Sequence, residues 1–245
     1  MKMVVPGTDV SSSQKAVELA HKYEDVYAAV GIHPHHVFEM LGDREWHEKN
    51  DLEQIDSLML DKKVVAVGEV GMDRHVYEKT KYAQYQISPE FIELQKDLLS
   101  RQIEFAIRYG KSLILHNREA KKEVLTILKN VWDKKLETKT VFHCCEADSE
   151  LLEFAKKHKI FIGVDGDLTY GQEKQEFIKE VPLSMLVLET DAPFLLPEPL
   201  RSQKKYPNEP ANLNFIAMEV ARVKGEKLEE VQKITFNNSC LLFSL

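Results

Sequence analysis

The sequence predicts an α/β protein of parallel strands, a TIM-type (β/α)8 barrel with the first strand missing and about seven strands present. Three observations predict it. Short apolar runs alternate with longer helical patterns from end to end, which implies a parallel sheet with helices packed outside. The runs are rich in Val, Ile, Leu and Phe with little polar alternation, as strands buried on both faces are. Five of the runs end in His, Asp or Glu.

In order, strands are expected at Lys2–Val5, Val26–Ile32, Lys63–Val67, Ser112–Leu115, Thr140–Phe142, Ile160–Gly163 and Met185–Leu188. A helix opens at Ser11-Ser12-Ser13. A long one opens at Ser88-Pro89, where Ser suits the N-cap and Pro the first helical position. Its apolar positions from Phe91 to Ile107 follow the helical period. Further helices are expected around Glu119–Asn130, Ser149–His158, Gln172–Glu180, Ala211–Val223 and Leu228–Phe236, with Ala192–Pro210 a long loop. No repeat or linker interrupts the 245 residues, so one domain spanning 1–245, incomplete at its N-terminus, is the expected organisation.

Composition narrows the function. Apolar residues make up 43% and charged residues 30%, and no apolar run nears the roughly 20 residues of a membrane span. The balance of 33 basic to 40 acidic residues, −7 overall, argues against a non-specific duplex coater, whose binding runs on phosphate neutralisation. An enzyme gripping a few phosphates through metal and local Arg or Lys remains allowed. Three cysteines, two of them adjacent at Cys144-Cys145, form no disulfide framework and fit a reducing, cytoplasmic setting.

Barrel active sites lie at the C-terminal ends of the strands. The runs end there in His33, Glu69, His116, His143 and Asp191. A lone strand-end His is usually structural, and a lone Asp or Glu often caps the next helix. The conjunction of Glu69, His116, His143 and Asp191 instead suits a divalent ion, since imidazole and carboxylate are ligands for Zn, Mn or Fe and carboxylates also take Mg. Cys144 and Cys145 read either as soft ligands or, more in keeping with barrel cysteines, as small core residues. Asp165 reads as a cap or a residue of the mouth. Arg118, Arg201, Lys204 and Lys205 read equally as phosphate contacts or as solvated charge.

At this point the segments resemble a known family. Val30-Gly31-Ile32-His33-Pro34-His35, Val67-Gly68-Glu69-Val70-Gly71-Met72-Asp73, Leu115-His116-Asn117-Arg118-Glu119-Ala120, Phe142-His143-Cys144, Leu188-Glu189-Thr190-Asp191-Ala192-Pro193 and Pro207-Asn208-Glu209-Pro210 resemble the TatD-related metal-dependent DNases, in order from about Val4 to the C-terminus. The resemblance implies a deoxyribonuclease of exonuclease type using divalent cations (Mg, Mn or Zn), two per site in the full-length family. It implies Glu69 as bridging ligand, His116 and His143 on one ion, and Asp191 on the other while also handling the proton of the attacking water. It places His33 near the substrate and Asp73 hydrogen-bonded behind a ligand. DNA is the implied partner, with no membrane and no obligate protein partner.

Two departures accompany the match. The family opens with a strand ending in His-x-His, and no such pair precedes residue 33, so the missing strand and an incomplete first metal site are expected upstream of Met1. His33-Pro34-His35 has the spacing but matches another segment. Phe142-His143-Cys144-Cys145-Glu146 replaces the usual His-Cys-Phe-Ser-Gly, which alters the loop rather than the ligand. The alternatives are a metal-dependent amide or ester hydrolase of the same superfamily, or an inactive truncated homologue.

Overall fold

In the computed structural model residues 2–42 and 44–245 are described, and they group into two compact units, Met1–Thr140 and Val141–Leu245. The first unit runs β1 (Met3–Pro6), α1 (Val10–Lys22), β2 (Val26–Val30), α2 (Arg44–Leu58), β3 (Val64–Asp73), α3 (Pro89–Tyr109), β4 (Ser112–Arg118) and α4 (Lys121–Val131). β1 pairs β2, β2 pairs β3 and β3 pairs β4, all parallel. The second runs β5 (Thr140–Phe142), α5 (Ser149–His158), β6 (Phe161–Val164), α6 (Gln172–Glu180), β7 (Leu186–Leu188), α7 (Leu213–Lys224) and α8 (Leu228–Phe243). β5 pairs β6 and β6 pairs β7, again parallel. The seven expected strands are thus present among the described residues, each followed by helix, and Ala192–Glu209 carries neither helix nor strand, a 3₁₀ turn opening at Pro210.

Local chemistry sets the helix starts. Asp9, not the serine run, caps α1: its carboxylate accepts from Ser12 N–H at 2.7 Å while Ser12 Oγ accepts from Asp9 N–H at 2.9 Å. Ser88 caps α3 as expected, and Gly110 ends it in the left-handed conformation. α3 lays Phe91, Leu98, Leu99 and Ile103 into the core of the first unit, each side chain worth about 1.5–3 kcal/mol when fully buried. α2 is the helix that periodicity does not reveal: its only apolar residues are Trp46, Leu52, Ile55 and Leu58, too thin a stripe to stand out. α8 runs a further two turns past the expected Phe236.

β2 and β7 are shorter than expected, while two strands run longer, and this relocates the site residues. β3 continues through Glu69 to Asp73, and β4 through His116 to Arg118, so neither Glu69 nor His116 ends its strand. The apolar runs stop earlier than the ladders because the polar residues lie within the ladder. Between Val67 and Val70 the β3–β4 register shifts: Val67 opposes Leu113 and Val70 opposes Leu115, leaving one extra residue on β3. This bulge at Gly68-Glu69 re-aims the Glu69 segment, whose N–H bonds the Gly7 carbonyl at 2.9 Å. Glycine is required within it at Gly68 and just after it at Gly71. A Cβ at Gly68 would press on Ile114, and one at Gly71 would overlap the His116 carbonyl oxygen.

Candidate metal centre

Glu69, His116, His33 and Asp73 converge in the first unit. Glu69 Oε1 lies 2.8 Å from His116 Nδ1 and 3.5 Å from His33 Nε2, and the two imidazole centroids are 4.4 Å apart. One donor atom from each of His33, Glu69 and His116 falls within 4.8 Å of the others. Asp73, fully buried, sets Oδ2 3.2 Å from His116 Nε2 and accepts from Tyr77 Oη at 2.6 Å. The contact expected of Asp73 is therefore made. His33, expected only beside substrate, also offers a donor atom alongside those of Glu69 and His116.

The backbone under these side chains is clamped from α3. Gln102 accepts from Ile32 N–H at 2.7 Å and donates to the Ile32 carbonyl at 3.1 Å. Gln95, seven residues earlier on the same helix face, does the same for Asp73 at 2.8 and 3.0 Å. Both amides are buried. Sequence reading missed them because two glutamines on a buried stripe look like gaps in it.

Electrostatics favours positive charge at this spot. Burial alone would depress His116, but hydrogen bonds to Asp73 and Glu69 outweigh it and raise the imidazole to about 9. Burial would raise Asp73, yet its hydrogen bonds to His116 and Tyr77 hold it near 2. Burial and the neighbouring His116 push His33 down, keeping that ring neutral and able to ligate. One carboxylate and two imidazoles on three separate segments, in a potential that already stabilises a cation, fit a divalent ion of the Zn or Mn kind.

Beside the cluster stands an aromatic wall. His35 meets Tyr77, Tyr82 and Tyr85 with ring centroids 4.7, 5.1 and 4.7 Å away, and the Arg118 guanidinium sits 5.2 Å over Tyr77. His36 Nδ1 is 2.6 Å from Tyr82 Oη. Burial, then Lys81 and His33, push His36 from 6.5 down to about 4. As pH falls through 6.5 the unfolded chain takes up a proton that the folded protein refuses until about 4. His36 therefore contributes stability above pH 6.5 that is lost progressively between 6.5 and 4. Urea unfolding of His36→Gln and wild type across that interval is expected to show a shallower acid slope for the variant; parallel slopes would contradict this account.

In the second unit His143 and Asp191 approach each other, Nε2 to Oδ1 at 3.6 Å. His143 Nδ1 is 2.7 Å from Glu189 Oε2, and Glu189 Oε1 takes the Cys144 N–H at 2.6 Å. Glu189 thus orients the imidazole and holds the turn after β5. It escaped sequence reading because it precedes Asp191 in one short segment. Asp191 sits at φ 51°, on a loop held by the buried Asn208, whose amide donates to the Thr190 and Phe194 carbonyls at 2.7 Å each. Arg201 lies 4.2 Å over the Tyr170 ring and 3.6 Å from Glu198, so its guanidinium is already engaged. Cys145 is a buried core residue, whereas Cys144 faces Asp165 and Asp167.

Seven parallel strands with covering helices and a His/Glu donor group define a metal-dependent hydrolase of the α/β kind. The family model described as TatD related DNase matches residues 1–244, and the chain belongs to that family. It is 32% identical over 246 residues to a Bacillus subtilis protein named as the uncharacterized metal-dependent hydrolase YabD, covering 100% of this chain and 88% of that one. It is 30% identical to the 3'-5' ssDNA/RNA exonuclease TatD of Escherichia coli, covering 99% and 87%. The crystal structure of the Escherichia coli TatD homolog YJJV superposes with a TM-score of 0.81 at 29% identity, covering 100% and 86%. Among the described residues no helix is long and apolar enough to cross a membrane.

Proposed function

We propose that this protein is a divalent-metal-dependent nuclease that releases nucleotides from the ends of DNA, single strands above all, in the cytoplasm. The observation that carries the reading is the His33–Glu69–His116 group backed by Asp73. The naming of the Escherichia coli relative as a single-strand exonuclease supports the substrate class.

In this reading His33, Glu69 and His116 would hold an ion of the Mg, Mn or Zn class in the first unit, and His143 with Asp191 would offer donors for such an ion in the second. A cation there supplies charge neutralisation and Lewis-acid polarisation at the scissile phosphate. The rest falls to side chains. Asp73 takes the Nε2–H of His116, which leaves Nδ1 beside Glu69 as the ligating nitrogen. Glu189 takes the Nδ1–H of His143, which leaves Nε2 toward Asp191. Asp191 accepts the proton of the attacking water. Arg118 binds phosphate on the first unit, and Arg201 binds phosphate on the second once it leaves Glu198. Stacking on an aromatic face is sequence-tolerant, so the Tyr77–His35 wall suits unpaired bases.

The test is a panel of end-labelled single-stranded DNA, RNA and duplex DNA beside an ester and a dipeptide, with chelator and with Mg, Mn or Zn restored. Mononucleotide release that chelation abolishes and metal restores is the expected result. Turnover of acyl substrates alone, or of none, would reject the proposal.

A further inference from the structure

Asp165 follows β6 and Asp167 lies in the 3₁₀ turn Gly166–Thr169 beyond it. Each carboxylate uses one oxygen locally. Asp165 Oδ1 accepts the Asp167 N–H at 2.8 Å, and Asp167 Oδ2 faces the Lys174 ammonium at 3.4 Å. The other oxygens, Asp165 Oδ2 and Asp167 Oδ1, are buried without a hydrogen-bond partner of ordinary geometry, and the weak donor facing Asp165 is the Cys144 thiol. Asp165 is 0% exposed, so water cannot freely stand in for one. A buried acceptor with no partner is costly, and an ionised one more so.

Cys144 comes to the same place, and one ligand atom from each of Cys144, Asp165 and Asp167 lies within 4.8 Å of the others. Its backbone N–H is held by Glu189, which anchors the main chain that carries the thiol. Charge supplies the next step. Two carboxylates against the buried Lys174 leave one negative charge, and an ionised thiol would make it two. A divalent cation would cancel that charge and partner both orphaned oxygens at once.

We propose that Cys144, Asp165 and Asp167 form a second cation site, built from residues other than the hydrolytic group and suited to a borderline-soft ion of the Zn or Co class. Thiolate ligation excludes Mg and Ca as the preferred occupants. The competing arrangement is a proton shared between the two carboxylates; burial beside Asp165 does push Asp167 up to about 7.

The site has its own spectroscopic readout, independent of any hydrolysis. The chelator-stripped chain is titrated with Co²⁺. A near-ultraviolet thiolate-to-Co charge-transfer band is expected, absent in Cys144→Ala and kept in Cys240→Ser and in Glu69→Gln. Asp165→Asn, checked for folding by circular dichroism, is expected to weaken the titration at least about tenfold. A wild-type chain that gives no thiolate band, a band that survives in Cys144→Ala, or unchanged affinity in folded Asp165→Asn would each overturn the proposal. Absence of nuclease activity would leave these outcomes as decisive as before.

Discussion

Glu69→Gln is expected to abolish metal-stimulated hydrolysis, by at least about a hundredfold, while leaving the fold intact. Gln keeps the shape and the hydrogen-bonding reach of the side chain and removes its charge. That charge is shared by His116 at 2.8 Å and His33 at 3.5 Å, and it is the carboxylate in the donor group. Partners that only orient metal ligands are worth about 10–100-fold, and a ligand itself is worth no less. Calorimetric metal titration and rate measurement on one preparation check the claim, with Tm as the control for folding. Undiminished metal-dependent turnover in a folded variant would remove Glu69 from the mechanism and, with it, the proposed centre.

Gln102→Leu should give the largest loss of stability among polar substitutions. The glutamine amide satisfies both the N–H and the carbonyl of Ile32, and leucine satisfies neither. A buried polar group stripped of its partner costs about 1–3 kcal/mol, so two give a loss of roughly 2–6 kcal/mol. Against a typical folding stability of about 5–15 kcal/mol, that is a large fraction. Urea unfolding reads it directly, and a loss under about 1 kcal/mol would show that the backbone finds other partners. Ile32 precedes His33, so hydrolysis by the folded fraction should fall as well.

Much of this was legible in the sequence because strands buried on both faces announce themselves as apolar runs. All seven strands and the Ser88–Pro89 helix start were readable that way. So was the approach of Glu69 to His116, through the polar residue that closes each run, whereas Asp73 was read from its place four residues after Glu69. The misplacement of Glu69 and His116 at strand ends has the same origin: a polar side chain ends the run without ending the ladder. Glu189, Gln95 and Gln102 were hidden for a different reason. Each matters through a contact 22 to 70 residues away in the chain, and neither period nor spacing encodes such a partner. Asp9 displaced the serine run as the cap of α1 because the cap is chosen by reciprocal geometry with Ser12, which composition cannot report.

The extra residue on β3 splits that strand into two phases. Up to Val67 its odd and even positions keep step with β4; from Val70 onward they are offset by one. Deleting the extra residue would give a more regular ladder and would also exchange the inward and outward sides of everything downstream. Glu69 lies in the irregular pair itself and Asp73 on the downstream side. The strand keeps its irregularity because chemical competence and the tidiest pairing lie at different chain lengths.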